Sequence, residues 1–197
     1  MLSSSGILAE IESGRIEINE FNMSQLNPNS YDVRLWNWFY LLLPQKGIPH
    51  YYGPLFVDDG IRILIPSGMT LLGATKERIY SHTDLLVQLR SKSTTRRSGI
   101  TVCDDAGFGD IGYNNHWTVE LTAHAPGGVH LTVGERFAQV LFQRAETPPI
   151  EKYTGQYTAN EWPQCMIPRK YRNFEHMHRW AEIPSFAIFD MDWVAGN

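Results

Sequence analysis

The sequence predicts a mainly β fold with a short N-terminal helix and few other helical turns. Three observations lead there. Apolar residues fall in short runs rich in β-branched and aromatic types, 16 Gly and 11 Pro are spread between those runs, and helical spacing is confined to the N-terminus. With 197 residues, 43% of them hydrophobic, the chain can bury one good core, and a single domain over 1–197 is expected.

Each element has its own reason. "SSSGILAEIESG" supplies Ser residues to cap a helix, Ile7, Leu8 and Ile11 at helical spacing, and Gly14 to stop it. "SYDVRLWNWFYLLL" alternates at Tyr31, Val33 and Leu35 before turning continuously apolar, as a strand does. "PQKGIPHYYGPLFVDDG", residues 44–60, reads as a loop inserted before "IRILIPSGMTLLGATKERI", a strand, a Pro-Ser-Gly turn and a second strand. "LLVQLR", "GITV", "HWTVELTAHA" and "GVHLTVGERFAQVLFQRA" continue the series of strands. The pattern fades in 147–165, which is expected to be mobile or to order on a ligand, and 166–197 is an aromatic C-terminal extension.

The formal net charge of -4 argues against a chain held on nucleic acid by many phosphate contacts. Two cysteines, Cys103 and Cys165, exclude a disulfide framework and a Cys-rich zinc site. The start "MLSSSGILAE" lacks a signal-peptide pattern, and no window approaches a membrane span. A cytoplasmic protein acting on a small molecule, with no nucleic-acid or membrane partner, is the expectation.

Against that acidic background "RSKSTTRRSGITV" stands out. Cations, hydroxyls and a following glycine are what a phosphate site uses, yet the Gly-rich spacing of a Walker loop is missing, and by itself the stretch reads more readily as a solvated turn. Downstream lie "CDDAGFGDIGY", with Asp110 between small residues, and "HWTVEL", with Glu120 on a strand.

This ordered series resembles the dCTP deaminase family of the trimeric dUTPase-like superfamily, whose motifs run [RK]-S-[ST]-x-x-R-x-G, then A-G-x-x-D, then a strand ending in Glu. Lys92-Ser93-Thr94, Arg97 and Gly99 fit the first, Ala106-Gly107 and Asp110 the second, and Glu120 the third. "ESGRIEINEFNMSQLNPNSYDVRL", "GERFAQVLF" and "KYTGQ" resemble the family's N-terminal segment, late strand and substrate-closing lid. The resemblance implies a distorted β-barrel of the dUTPase-like β-clip kind and a homotrimer whose subunits share each site.

It also implies roles. Glu120 would be the general base and then acid, with Arg97 orienting the water and the carboxylate. Lys92, Ser93, Thr94 and Lys152 would bind the triphosphate. Asp110 would accept from the 3′-hydroxyl, Tyr113 would exclude a ribose 2′-hydroxyl, and Ala106 and Gln156 would complete the sugar and base site. Arg90 and Arg96 fall outside this set. Mg²⁺ would arrive with the triphosphate, no metal being ligated by protein. The zinc deaminase signature H-x-E…P-C-x-x-C is absent, and His176 and His178 read as surface or packing residues.

The implied reaction is zinc-independent deamination of dCTP to dUTP and ammonia, either ending there or continuing with pyrophosphate release to dUMP. "CDDA" departs from the family's usual sequence, and Asp104 and Asp105 bring negative charge to a polyanion site. Two other readings therefore stand beside it: a pyrophosphatase acting on dUTP or another pyrimidine dNTP, and a non-catalytic trimer that binds nucleotide or protein.

Overall fold

The computed structural model describes residues 1–157 and 162–184. Helix α1 spans Ser4–Glu12 and begins where the Ser3 hydroxyl accepts from the Gly6 N–H at 3.4 Å. It ends before Gly14, whose φ of 71° suits a residue without Cβ. Its apolar anchor is Ile7, fully buried. Fourteen strands follow among the described residues: β1 Ile16–Ile18, β2 Leu26–Asn27, β3 Ser30–Arg34, β4 Trp38–Leu42, β5 Tyr51–Phe56, β6 Arg62–Ile65, β7 Thr70–Ser81, β8 Leu85–Ser91, β9 Ile100–Val102, β10 Phe108–Gly109, β11 Asn114–Ala123, β12 Val129–Thr132, β13 Arg136–Arg144 and β14 Met177–His178. A second helix, α2 Ser93–Arg97, sits between β8 and β9.

The mainly β expectation holds. One sheet has the order β14-β5-β4-β7-β11-β9, with β1 also paired to β7; a second runs β10-β8-β13-β3-β2; and β12 pairs with β6. Among the described residues these ladders do not close into one ring. The inner faces enclose a core that includes Tyr31, Phe39, Ile79, Val119, Leu121 and Phe142, all fully buried. This is the alternation of β3, β11 and β13 made physical, since every second side chain points inward.

Two details differ from expectation. The 44–60 segment is not all loop, because β5 lies inside it and pairs antiparallel with β4. Gly53 is what lets β5 lie so close: a Cβ there would come within 2.7 Å of the Tyr40 ring and 2.8 Å of the Phe39 carbonyl. The C-terminal extension is structured as far as it is described, with β14 adding in parallel to β5. Part of the proposed lid, 158–161, and the end of the extension, 185–197, lie outside the described residues.

The outer face of the larger sheet carries a second apolar cluster. Tyr40, Tyr51, Leu72 and Ala74 from the strands meet Met166 and Ile167 from the C-terminal segment. That segment is tied down at several points. Trp162 packs beside Trp36 and His116, which themselves stack at 3.9 Å between ring centroids. Arg172 donates to the carbonyls of Ile167, Gln156 and Cys165. At its far end His178 and His50 share a hydrogen bond of 2.8 Å, and His178 stacks on Tyr52.

Candidate active site

Strand β11 carries the candidate base. Glu120 lies opposite Leu72 of β7, and its carbonyl accepts from the Cys103 N–H at 3.1 Å. The β11–β7 register shifts between His116 and Thr118, which breaks strict alternation and lets Trp117, Thr118 and Glu120 border one cavity. That cavity has a volume of about 380 Å³ and is also bordered by Ala106, Asp110 and Tyr113.

Four residues assigned to one site, Glu120, Asp110, Tyr113 and Ala106, are therefore brought together. Asp110 and Tyr113 are joined by a turn, with the Tyr113 N–H donating to the Asp110 carbonyl at 3.0 Å. The Tyr113 hydroxyl donates to the His116 carbonyl at 3.0 Å, which fixes the ring at the cavity edge. Gly109 is required by the close approach of Trp117, since a Cβ there would stand 2.1 Å from the indole ring.

The environment favours a protonatable carboxyl. Burial raises the Glu120 pKa above the usual glutamate range, a bond from its own backbone N–H opposes this, and the charge of Asp104 adds to the rise. Tyr51 and Tyr157 feel the same carboxylate: burial is the main cause of their raised pKa values, and the Glu120 charge contributes to both. Cys103 is pushed up to about 12 by burial first and then by Glu120, so its thiol is a poor nucleophile.

The basic cluster faces elsewhere. Arg97 and Ser93 border a separate open groove of about 470 Å³ together with Arg90, Arg96, Thr101, Cys103 and Asp104. Arg90 and Arg96, which the motif spacing sets aside, share this groove with Arg97. Thr94 turns instead to a concavity with Arg62, His130 and Glu135. Lys92 is taken up by Asp32, at 2.5 Å from its carboxylate. Asp32 also accepts from Asn27 at 2.9 Å and has Arg136 at 3.7 Å.

Lys152 borders a shallow depression next to Asp110, and its neighbour Tyr153 donates from its N–H to the Ile111 carbonyl at 2.9 Å. Gln156 faces the C-terminal segment, its side-chain oxygen accepting from the Arg169 N–H at 2.9 Å. Trp117, Tyr153, Tyr157 and Met166 border the Glu120 cavity and were not singled out from sequence. The tyrosines of "KYTGQY" were the available signal, since aromatic rings beside a matched lid are natural walls for a flat ligand.

Among the described residues no group of three or more His, Cys, Asp or Glu side chains gathers as metal ligands. Nor is any helix long and apolar enough to cross a membrane. Both cysteines are buried and form no disulfide with each other.

Comparisons with known proteins agree with this picture. The model of a family described as dCTP deaminase-like matches residues 1–145. A Streptomyces griseus protein named dCTP deaminase, dUMP-forming, is 31% identical over 193 residues, covering 91% of this chain and 98% of that protein. One of the same name from Beutenbergia cavernae is 29% identical over 187 residues, covering 91% and 97%. Among solved structures, the 2′-deoxycytidine 5′-triphosphate deaminase of Agrobacterium tumefaciens superposes with a TM-score of 0.57 at 19% identity, over 73% of this chain. The match spans 47% of that longer chain and speaks for the fold. The motif series, the strand that carries Glu120 and the family match over 1–145 lead to one conclusion: the chain belongs to the dCTP deaminase-like family.

Proposed function

We propose that this protein deaminates dCTP hydrolytically and carries the product on to dUMP, releasing ammonia and pyrophosphate. The observation that carries the reading is Glu120, buried with a raised pKa in a cavity that also holds Asp110, Tyr113 and Ala106. Such a carboxylate takes a proton from water as the oxygen attacks C4 of the cytosine. The tetrahedral adduct then receives that proton on its amino nitrogen, the C–N bond breaks, ammonia leaves, and the proton of the adduct's hydroxyl passes to N3 as the C4 carbonyl forms. A raised pKa suits the second half, because the conjugate acid persists closer to neutral pH. The second step, hydrolysis between the α- and β-phosphates, is supported by the names of the bacterial relatives.

The groove of Arg90, Arg96, Arg97 and Ser93 is the anion-binding half of the site. It and the Glu120 cavity are separate concavities of one chain, which supports a homotrimer in which one subunit's cavity meets a neighbour's groove. Arg97 would then reach the water across that junction. Mg²⁺ would be held by phosphate oxygens, since Asp104 is the lone carboxylate bordering the groove among the described residues. Lys152 borders a depression together with Asp110, which supports a role for it on the phosphates. The test is ammonia and pyrophosphate release from dCTP with Mg²⁺, using native protein and Glu120→Gln. Both products from the native protein and neither from the variant are expected; pyrophosphate without ammonia would reassign the protein as a pyrophosphatase.

A further inference from the structure

The Glu120 cavity is longer than a cytosine needs. Asp110 and Tyr113, in the turn that leads into β11, and Glu120 on the strand all border it, which suits a nucleoside with its sugar toward the first two and C4 toward Glu120. The wall does not stop there. It continues sideways to Leu72 on β7, to Leu42 on β4 and to Tyr51 on β5. The registers place these side chains on one face: Glu120 opposite Leu72, Leu72 opposite Tyr40, and Leu42, two residues on from Tyr40, opposite Tyr51. With strands about 4.8 Å apart, Leu42 stands about 10 Å from the Glu120 strand. Met166 and Pro168 of the C-terminal segment also border this extension.

Its chemistry is one-sided. Leu42, Leu72, Met166 and Pro168 offer no side-chain donor, Tyr51 adds a hydroxyl to the wall, and a mostly apolar space of this kind holds water poorly. The opposite flank of β11 is different, because the loop after β9 brings the backbone around Ala106 to the cavity. A base with its amino group at Glu120 turns one edge to each flank. The N3 and O2 edge needs hydrogen bonds and belongs on the Ala106 flank. C5 then points toward Leu72 and Leu42.

We infer that this extension receives an apolar substituent on C5, so that the preferred substrate is a 5-alkylated deoxycytidine triphosphate and Leu42, Leu72 and Met166 set that specificity. The inference rests on the deaminase reading. It is tested by calorimetric binding of dCTP and 5-methyl-dCTP, with Mg²⁺, to the Glu120→Gln protein, which holds nucleotide without turnover. The methylated nucleotide binds about fourfold more tightly, the ratio expected for burying one methyl group. Leu42→Phe, added to fill the space, removes that ratio. Equal or weaker binding of 5-methyl-dCTP to a protein that binds dCTP overturns the inference and leaves the deaminase reading standing. Binding of neither nucleotide removes both. The ratio in the protein with Leu42 intact decides the matter even if the Phe variant misfolds.

Discussion

Replacing Lys92 by Met separates two roles that the motif alone cannot. The family resemblance makes Lys92 a phosphate ligand; the structure gives it to Asp32 at 2.5 Å, with side-chain exposures of 24% for the lysine and 5% for the aspartate. Breaking a buried ion pair from one side typically costs 3–5 kcal/mol, because the other charge stays buried without its partner. Here Asn27 still donates to Asp32 and Arg136 stands at 3.7 Å, so the low end applies, about 3 kcal/mol. For a chain of this size that corresponds to a fall in Tm of about 6–12 °C. Urea denaturation at fixed protomer concentration measures it, with Asp32→Asn and the double variant closing a cycle whose coupling should exceed about 1 kcal/mol. Lys92→Arg keeps the charge and should recover most of the loss. A Met variant within about 0.5 kcal/mol of the native protein, combined with a large loss of nucleotide affinity, would show that the amine is free for phosphate and that this pairing is wrong.

Four further outcomes follow from the same geometry. Glu120→Gln stabilises the protein near neutral pH: a carboxyl whose folded pKa is raised makes the native state bind more protons than the unfolded one, so stability falls as pH rises through that window, and the gain closes below about pH 4; denaturation curves at several pH values read this directly. Co-assembled Glu120→Gln and Arg97→Ala subunits recover activity that neither has alone, up to about a quarter of the sites for random mixing of a site shared between neighbours; no recovery would place both residues' action within one chain. Gly109→Ala forces Trp117 to move, since the new Cβ would stand 2.1 Å from its ring, and should cost about 1–3 kcal/mol with a change in tryptophan emission. Acid loosens the C-terminal segment: burial lowers the pKa of His50, helped by His178 and His176, and lowers that of His116 between its tryptophans. Their protonation, as pH falls below the ordinary histidine value of about 6.5, therefore opposes docking, and protease cutting within 162–184 should rise.

The strands were legible because burial on one face writes itself as alternation, as at Tyr31 and Val33 or Val119 and Leu121. The break at Leu35–Asn37 that divides β3 from β4 was not, since Trp and Leu continue the apolar run across it. β5 was hidden by Gly53 and Pro54, which mark turns elsewhere but here permit close packing on Tyr40. For the site, the family resemblance named Glu120, Asp110, Tyr113 and Ala106, and all four border one cavity because β11 and the turn that leads into it keep nearby residues together. It did not show that Thr94 and Arg97 face different concavities, nor that Lys92 has a partner 60 residues earlier. Direction around a short helix and partners from distant strands are set by tertiary packing, which local sequence does not encode.

The parallel pairing of β14 with β5 also sets an order of events. Synthesis runs from the N-terminus, so β4, β5, β7 and β11 are complete well before residues 162–178 emerge. During that interval β5 presents an unpaired edge, and Tyr40, Tyr51 and Leu72 lack the cover of Met166 and Ile167. An open edge beside an apolar face is the surface through which chains join one another wrongly. Shortening the chain before Trp162 should therefore shift the recovered protein from the soluble fraction toward aggregates, making the C-terminal segment a guardian of the nascent sheet as well as a wall of the cavity.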